Sequence, residues 1–184
     1  MSRHQNATAL KLAAVLLLAA AAAPASEARV ISRINHRYLF DISAACKATT
    51  NPKLCESVSA QASSARALAD AVIIAAAAKA KEAQALSAKL MNAPGTDKML
   101  KQSLDICREN FESAADSLQE ASGNLKVPSQ HADLMDNLSA AVSFVETCND
   151  AFVEQPGLVS PVAHMYENMR KWTSDCLDLA SELK

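Results

Sequence analysis

The chain has 184 residues, of which 50% are hydrophobic, with 18 basic and 20 acidic side chains and a formal net charge of −2. This balance excludes the strongly basic surface by which proteins bind nucleic acid. Aromatic residues make up 4% of the chain and there are 3 glycines, and a composition so rich in alanine and leucine favours helices over sheets.

The N-terminal segment, 1–28, is typical of a secretory signal peptide. It starts with basic residues, continues with an apolar run over 12–23 and ends in small residues. A membrane-anchored tail is the alternative, but the run is short for a bilayer and no stop-transfer pattern follows. We expect cleavage after Ala25 or Ala28 and a mature chain, 29–184, without a membrane segment.

A short helical arm is predicted over Val30 to Ala45, because apolar residues recur there at helical spacing. Cys46 and Cys55 then bracket a polar stretch in which Asn51-Pro52 favours a turn.

From Cys55 onward, apolar residues recur at spacings of three and four, which is typical of amphipathic helices. Turn-forming residues divide this region into four long stretches. The predicted helices run from Cys55 to Leu90, from Thr96 or Asp97 to Leu125, from Ser129 to Phe152, and from Ser160-Pro161 to Leu183. Four long helices joined by short connections indicate an all-α, antiparallel four-helix bundle.

The spacing of the 5 cysteines limits how they can pair. Cys46 and Cys55 need only a tight turn between them, and Cys107 and Cys148 lie on the apolar sides of consecutive helices and can face each other. By loop entropy alone these bonds would stabilise the fold by about 2.7 and about 3.9 kcal/mol. Cys176 is left as a free thiol on the inner side of the last helix, where burial is favoured over reactivity.

No metal site or catalytic set can be identified. There is no Cys-x-x-Cys pair, and His36, His131 and His164 lack ligand spacing. Nucleophile motifs and phosphate-binding loops are also missing from the sequence. We therefore expect no cofactor and no metal, and a binding protein rather than an enzyme.

Three groups of residues resemble the signatures of the plant invertase and pectin methylesterase inhibitor family. They are Ile42 to Cys46 followed by Thr49, Pro52 and Cys55; Leu104 to Phe111 followed by Asp116 and Leu118; and Ser139 to Ala141 followed by Glu146, Thr147 and Cys148. The resemblance extends over essentially the whole mature chain and includes four cysteines in order.

The resemblance implies a helical hairpin over 30–55 followed by an up-down-up-down bundle over 55–184, with the same two disulfides. It implies a protein secreted to the cell wall (the apoplast) that binds a carbohydrate-active enzyme one to one and covers its active-site cleft. Because nothing follows Lys184, we expect a free-standing inhibitor.

The resemblance leaves two alternatives for the target enzyme, pectin methylesterase and acid invertase. The family's invertase inhibitors carry a Pro-Lys-Phe segment, which is absent from 126–131, and Pro52-Lys53-Leu54 resembles it only superficially. The small-residue run before Thr147 is more similar to the pectin methylesterase inhibitors, so that target is favoured over acid invertase. A protein of a different class, a secreted helical ligand or scaffold, is the remaining alternative.

Polar residues of the second and third bundle helices are the candidates for the target-binding face, and substitutions there should spare the fold. They are Glu112, Asp116, Asn137, Ser143 and Glu146. An acidic row from Asp105 to Glu120 is either a solvated surface or part of that face. Asn137-Leu138-Ser139 is also a possible N-glycosylation site.

Overall fold

The computed structural model describes residues 40–183. The predicted signal peptide with its cleavage sites, the predicted arm before residue 40, and Lys184 lie outside the described residues. None of the helices between residues 40 and 183 combines the length and the apolar character that crossing a bilayer requires.

Four long helices form the body of the described chain. The α-helices within residues 40–183 are α1 Ile42–Lys47, α2 Pro52–Val58, α3 Ala65–Met91, α4 Lys98–Leu125, α5 His131–Val153 and α6 Ala163–Ser181, and a 3-10 turn, Pro128–Gln130, precedes α5. Each of the four long helices packs against two of the others, so that α3 contacts α4, α4 contacts α5, α5 contacts α6, and α6 contacts α3. This closed arrangement with short connections is the antiparallel bundle that the sequence predicted.

Local residues set where the central helices begin. Asp97 is the N-cap of α4 and its carboxylate accepts from the backbone N–H of Leu100 at 3.0 Å, so the predicted cap is confirmed. Gly95 has a positive φ of 83° in the connection before it. Glycine adopts that conformation without steric cost, which lets the chain reverse between α3 and α4.

The single helix predicted from Cys55 to Leu90 is wrong, because α2 ends at Val58 and α3 begins at Ala65. Serines explain the interruption. The Ser59 hydroxyl donates to the carbonyl of Glu56 at 2.9 Å, and Ser64 accepts from the backbone N–H of Ala67 at 3.1 Å. Serine side chains that bond to nearby backbone favour helix ends over helix interiors, whereas the apolar spacing continues across the break.

The start of α6 also differs from the prediction. Ser160-Pro161 was expected to open the helix, but α6 begins at Ala163. The Ser160 hydroxyl instead accepts from the N–H of Val162 at 3.3 Å, in a turn that buries the Val162 side chain completely. Burial of Val162 thus occurs before the first helical residue.

Both predicted disulfides are present. The Cys46–Cys55 bond joins α1 to α2, and the Cys107–Cys148 bond joins α4 to α5. Cys176 is a free, buried cysteine of α6, and burial raises the pKa of its thiol. A protonated, inaccessible thiol is unreactive, so Cys176 acts as an apolar core residue.

Removal of the long-range disulfide should be the costlier of the two changes. The Cys107–Cys148 bond spans 41 residues and the Cys46–Cys55 bond spans 9. By loop entropy, replacing each pair by alanine should lower the free energy of unfolding by about 4 and about 2.7 kcal/mol respectively. Urea denaturation measures both, with Cys176→Ala as the control for losing a buried sulfur. If the Cys107/Cys148 variant loses no more stability than the control, the disulfide does not stabilise the fold as expected.

Candidate functional site

The contact between α4 and α5 fixes the register of these two helices. Cys107 and Cys148 bring their Cα atoms to 4.3 Å from each other. About one turn away, the Ser103 hydroxyl donates to the carbonyl of Ala151 at 2.8 Å. A covalent bond and a hydrogen bond one turn apart prevent the helices from sliding or rotating against each other.

An open groove of about 390 Å³ lies on the outer side of this helix pair, at the end where α4 begins and α5 ends. Two large apolar side chains on its α4 side are exposed: Met99 is 48% exposed and Ile106 is 40% exposed. We name this surface the α4–α5 face. Its groove is lined by Met99, Gln102, Ser103, Asp105, Ile106, Ala151, Glu154 and Gln155.

The composition of this groove is suited to contact with another protein. Within residues 40–183, no group of three histidine, cysteine or carboxylate side chains is placed to hold a metal ion. The lining joins exposed apolar side chains to amide, hydroxyl and carboxylate groups. An apolar centre with a polar border is the usual composition of a protein-binding surface.

None of the five predicted binding residues is among the side chains that line this groove, and the two on α4 lie on another side of that helix. An α-helix turns by about 100° per residue, so Glu112 and Asp116 lie about 140° and 180° around α4 from Cys107. Both side chains are exposed. They project from the outer side of α4, beyond the edge at which α4 meets α5.

One arginine pairs with three members of the predicted acidic row and offsets one of its negative charges. Arg108 forms ion pairs with Asp105 at 2.8 Å, with Glu109 at 3.0 Å and with Glu112 at 3.4 Å. The hydrogen bond to Asp105 is the largest influence on the pKa of Arg108 and raises it. Desolvation lowers this pKa, and the charges of the three carboxylates raise it, so that the net change is upward. Since the cluster is exposed, it contributes little to stability, and it reduces the negative potential that the row could offer a partner.

The three candidates on α5 lie at different places around that helix. Asn137 is half-buried and only about 20° around the helix from Cys148, so it lies at the edge next to α4. Ser143 is exposed, and its hydroxyl donates to the carbonyl of Ser139 at 3.1 Å. Glu146 lies about 200° from Cys148, at the edge next to α6.

Glu146 is an exception to the expectation that these substitutions spare the fold. The hydroxyl of Tyr166, on α6, donates to its carboxylate at 2.8 Å, and the bond is partly buried. Burial, and next the hydrogen bond and charge of Glu146, raises the pKa of Tyr166 to about 12. Glu146 therefore joins α5 to α6, in addition to any role in binding.

Sequence reasoning missed the two apolar residues of the groove. Met99 and Ile106 are seven residues apart, which places them on one line along α4. They lie about 80° and 100° from Cys107, outside the buried stripe that the apolar spacing defines. The sequence signal that could have identified them is a second line of apolar residues on α4, beside the line that is buried.

A helical bundle with an exposed groove of apolar and polar side chains has the kind of surface that protein-binding proteins use. The family model for the plant invertase/pectin methylesterase inhibitors matches residues 41–179, more than half of the chain. The chain belongs to this family and is therefore a non-catalytic enzyme inhibitor.

Solved structures share its fold. A mutant form of a pectin methylesterase inhibitor from Arabidopsis is 22% identical, with a TM-score of 0.65, and the match covers 78% of this chain and 97% of that one. A pectin methylesterase inhibitor from Arabidopsis thaliana is 23% identical, with a TM-score of 0.59 and coverage of 78% and 95%. No curated protein sequence gives a significant match.

The contact between Glu146 and Tyr166 can be measured by a double-mutant cycle. Glu146→Ala and Tyr166→Phe should each lower the free energy of unfolding by about 1–2 kcal/mol, because each removes a partly buried, charge-assisted hydrogen bond. The two effects should be non-additive. Ser143→Ala, on the exposed side of the same helix, is the control and should stay within about 0.5 kcal/mol of the wild type. Additive losses would mean that the two side chains do not interact.

Proposed function

We propose that this protein inhibits a plant pectin methylesterase in a one-to-one complex, by placing the α4–α5 face over the active-site cleft without a covalent step. The observation that carries this proposal is the exposed apolar pair Met99 and Ile106 beside a helix contact that is fixed by a disulfide. Family membership supplies the inhibitor role.

The physical basis of binding would be burial of this apolar pair under the partner. Binding energy in protein interfaces is concentrated in a few well-packed residues near the centre, and surrounding polar contacts exclude water. Ile106 and Met99 would supply that centre, and Gln102, Asp105 and Gln155 would form part of the border. A helix pair held by a covalent bond loses little conformational freedom on binding, which favours affinity.

The polar candidates would lie outside that centre. Asn137 is at the α4 edge of α5, and we propose that it contacts the target together with Ser143 and Glu146. Glu112 and Asp116 would act mainly through long-range attraction to a basic surface of the enzyme. Such charges increase the association rate more than the affinity, and salt weakens their effect.

Pectin methylesterase is preferred as the target for two reasons. The small-residue run before Thr147 resembles that branch of the family, and the Pro-Lys-Phe segment of invertase inhibitors is absent from 126–131. Both solved structures described above are, by their descriptions, pectin methylesterase inhibitors, which is consistent with this choice. The leader over 1–28 further supports secretion to the apoplast, where this enzyme's substrate lies.

The direct test is a titration of purified pectin methylesterases and an acid invertase with the mature protein. We expect near-stoichiometric loss of activity for at least one pectin methylesterase and none for invertase. Inhibition of invertase alone would assign the protein to the other target. If neither enzyme is affected, the protein is instead a secreted helical ligand or scaffold with another wall partner. A pull-down from wall extract would then identify that partner.

Two matched isoleucines can test which face binds. Ile106→Ala should weaken inhibition by about tenfold to thirtyfold, since interface residues of this kind contribute about 1.4–2 kcal/mol. Ile74 is 56% exposed on α3, on the far side of α4 from α5, so Ile74→Ala is the control and should inhibit like the wild type. Inhibition constants for both variants, with melting temperatures, measure this. A loss at Ile74 and none at Ile106 would place docking on the α3–α4 side.

We further propose Asn137 as an N-glycan acceptor whose occupancy opposes docking. Because the residue lies at the α4 edge of α5, a glycan there would project beside the α4–α5 face. Mass spectrometry of the protein secreted from plant cells should find a glycoform that Asn137→Gln abolishes. Enzymatic removal of the glycan should strengthen inhibition, while Asn124→Gln, an asparagine outside any sequon, should change neither result. A secreted protein without glycan at Asn137 would contradict this proposal.

A further inference from the structure

The tip of the disulfide hairpin is bound to α6 by two aspartates. The backbone N–H of Thr50 donates to Asp178 at 2.7 Å, and that of Asn51 donates to Asp175 at 2.8 Å. The Asn51 side-chain amide also donates to Asp175, at 3.0 Å, and to the carbonyl of Lys171, at 3.3 Å. These bonds join residues more than 100 positions apart and attach α1 and α2 to the last helix.

Asn51 shows that this contact takes precedence over helix capping. Asn51 is at the N-cap position of α2, where asparagine normally accepts from a backbone N–H of the first turn. Its side chain makes no such bond, because its amide is directed to α6. Asp175 and Asp178 are also in the C-terminal part of α6, where the helix dipole disfavours negative charge. Contact between the hairpin and α6 accounts both for the missing cap bond of Asn51 and for the two aspartates near the C-terminus of α6.

Asp175 is an unusual partner for this role. The residue is completely buried, and one carboxylate oxygen, Oδ1, accepts both bonds from Asn51. The other oxygen, Oδ2, is buried without a hydrogen-bond partner. A buried carboxylate with an unpartnered oxygen is costly when it is ionised, and protonation removes much of that cost.

The charges around the contact do not offset this cost. Within residues 40–183, no lysine, arginine or histidine forms an ion pair with Asp175. Lys171 and Lys53 line the adjacent surface groove, but both side chains are exposed. Asp178, three residues further along α6, adds a like charge, and no charged group of α3 or α5 hydrogen-bonds to Asp175 in the described chain.

We propose that the α1–α2 hairpin is held on α6 by a proton-linked clasp, in which the hairpin covers Asp175 and this burial favours uptake of a proton by its carboxylate. The hairpin is then bound more tightly in acid and opens more often as the pH rises. This clasp is independent of the target enzyme, because it lies on α6 and the hairpin rather than on the α4–α5 face.

The direction of the effect follows from the pKa of Asp175. Burial raises this pKa more than the two hydrogen bonds from Asn51 lower it, and Asp178 raises it further. When the hairpin leaves α6 in this proposal, Asp175 loses both its cover and the two bonds from Asn51. Since burial is the larger influence, its pKa is higher in the closed state, which therefore binds more protons. The stabilising effect of this proton uptake is complete below the ordinary aspartate pKa of about 3.9 and is lost as the pH rises through the raised value.

Amide hydrogen exchange measured by NMR on the intact mature protein tests the clasp. Exchange rates of the Thr50 and Asn51 amides are corrected for intrinsic pH dependence and compared with α4 amides of the same sample. From about pH 4, close to the ordinary aspartate value, up to about pH 8, we expect protection of these two amides to fall several-fold relative to α4. The ¹³C shift of the Asp175 carboxyl should titrate with the same midpoint.

Asp175→Asn imitates the protonated acid and keeps an oxygen that can accept from Asn51. In this variant, protection of Thr50 and Asn51 should be high and independent of pH. Glu182→Gln is the matched control, because it removes one negative charge from an exposed position at the end of the same helix, and it should behave as the wild type. Protection that does not change with pH in the wild type would overturn the proposal. So would an unchanged pH profile in Asp175→Asn, and the wild-type profile decides the question even if that variant folds poorly.

Discussion

The contact of α4 with α5 is the constraint on which the bundle and its candidate binding surface both depend. The disulfide holds the two Cα atoms 4.3 Å apart, and the bond from Ser103 to Ala151 repeats the constraint one turn away. Because the helices can neither slide nor rotate, the side chains on the outer side of the pair keep fixed positions. A surface that is already ordered before binding spends less free energy on ordering when a partner arrives.

The other helices support this pair with different chemistry. Alanines on the buried side of α3 are fully buried, and small side chains let neighbouring helices approach closely. On α4 the core position of Phe111 is filled by a large, completely buried ring. The hairpin packs its apolar side chains against the core and is also attached by the two aspartates of α6. Rigid packing in the bundle and a polar attachment of the hairpin therefore occur in one chain.

The bundle could be predicted from the sequence because apolar spacing reports which residues face the core. The pairing of Cys107 with Cys148 could be predicted too, since both lie in that buried stripe. The break between Val58 and Ala65 could not, because the apolar spacing passes through it and only side-chain hydrogen bonds of Ser59 and Ser64 end the helices.

The candidate site was less predictable, since it depends on where exposed residues meet. Glu112 and Asp116 were chosen for their polarity, but the structure puts them on the outer side of α4, beyond the edge that meets α5. The bond between Glu146 and Tyr166 joins helices in a way that neither residue's local sequence indicates. The same holds for Asp175, whose partner is more than 100 residues away along the chain.

Hydroxyl-radical footprinting of the inhibitor, alone and bound to a pectin methylesterase, shows whether the α4–α5 face is the surface that the enzyme covers. Oxidation of an exposed side chain falls when a partner covers it, so the experiment maps the bound face without any mutation. If the α4–α5 face docks on the enzyme, Met99 and Ile106 become protected in the complex. Ile74 and Val159, which are 56% and 84% exposed, keep their reactivity. Protection of Ile74 with no change at Met99 and Ile106 would contradict docking through this face.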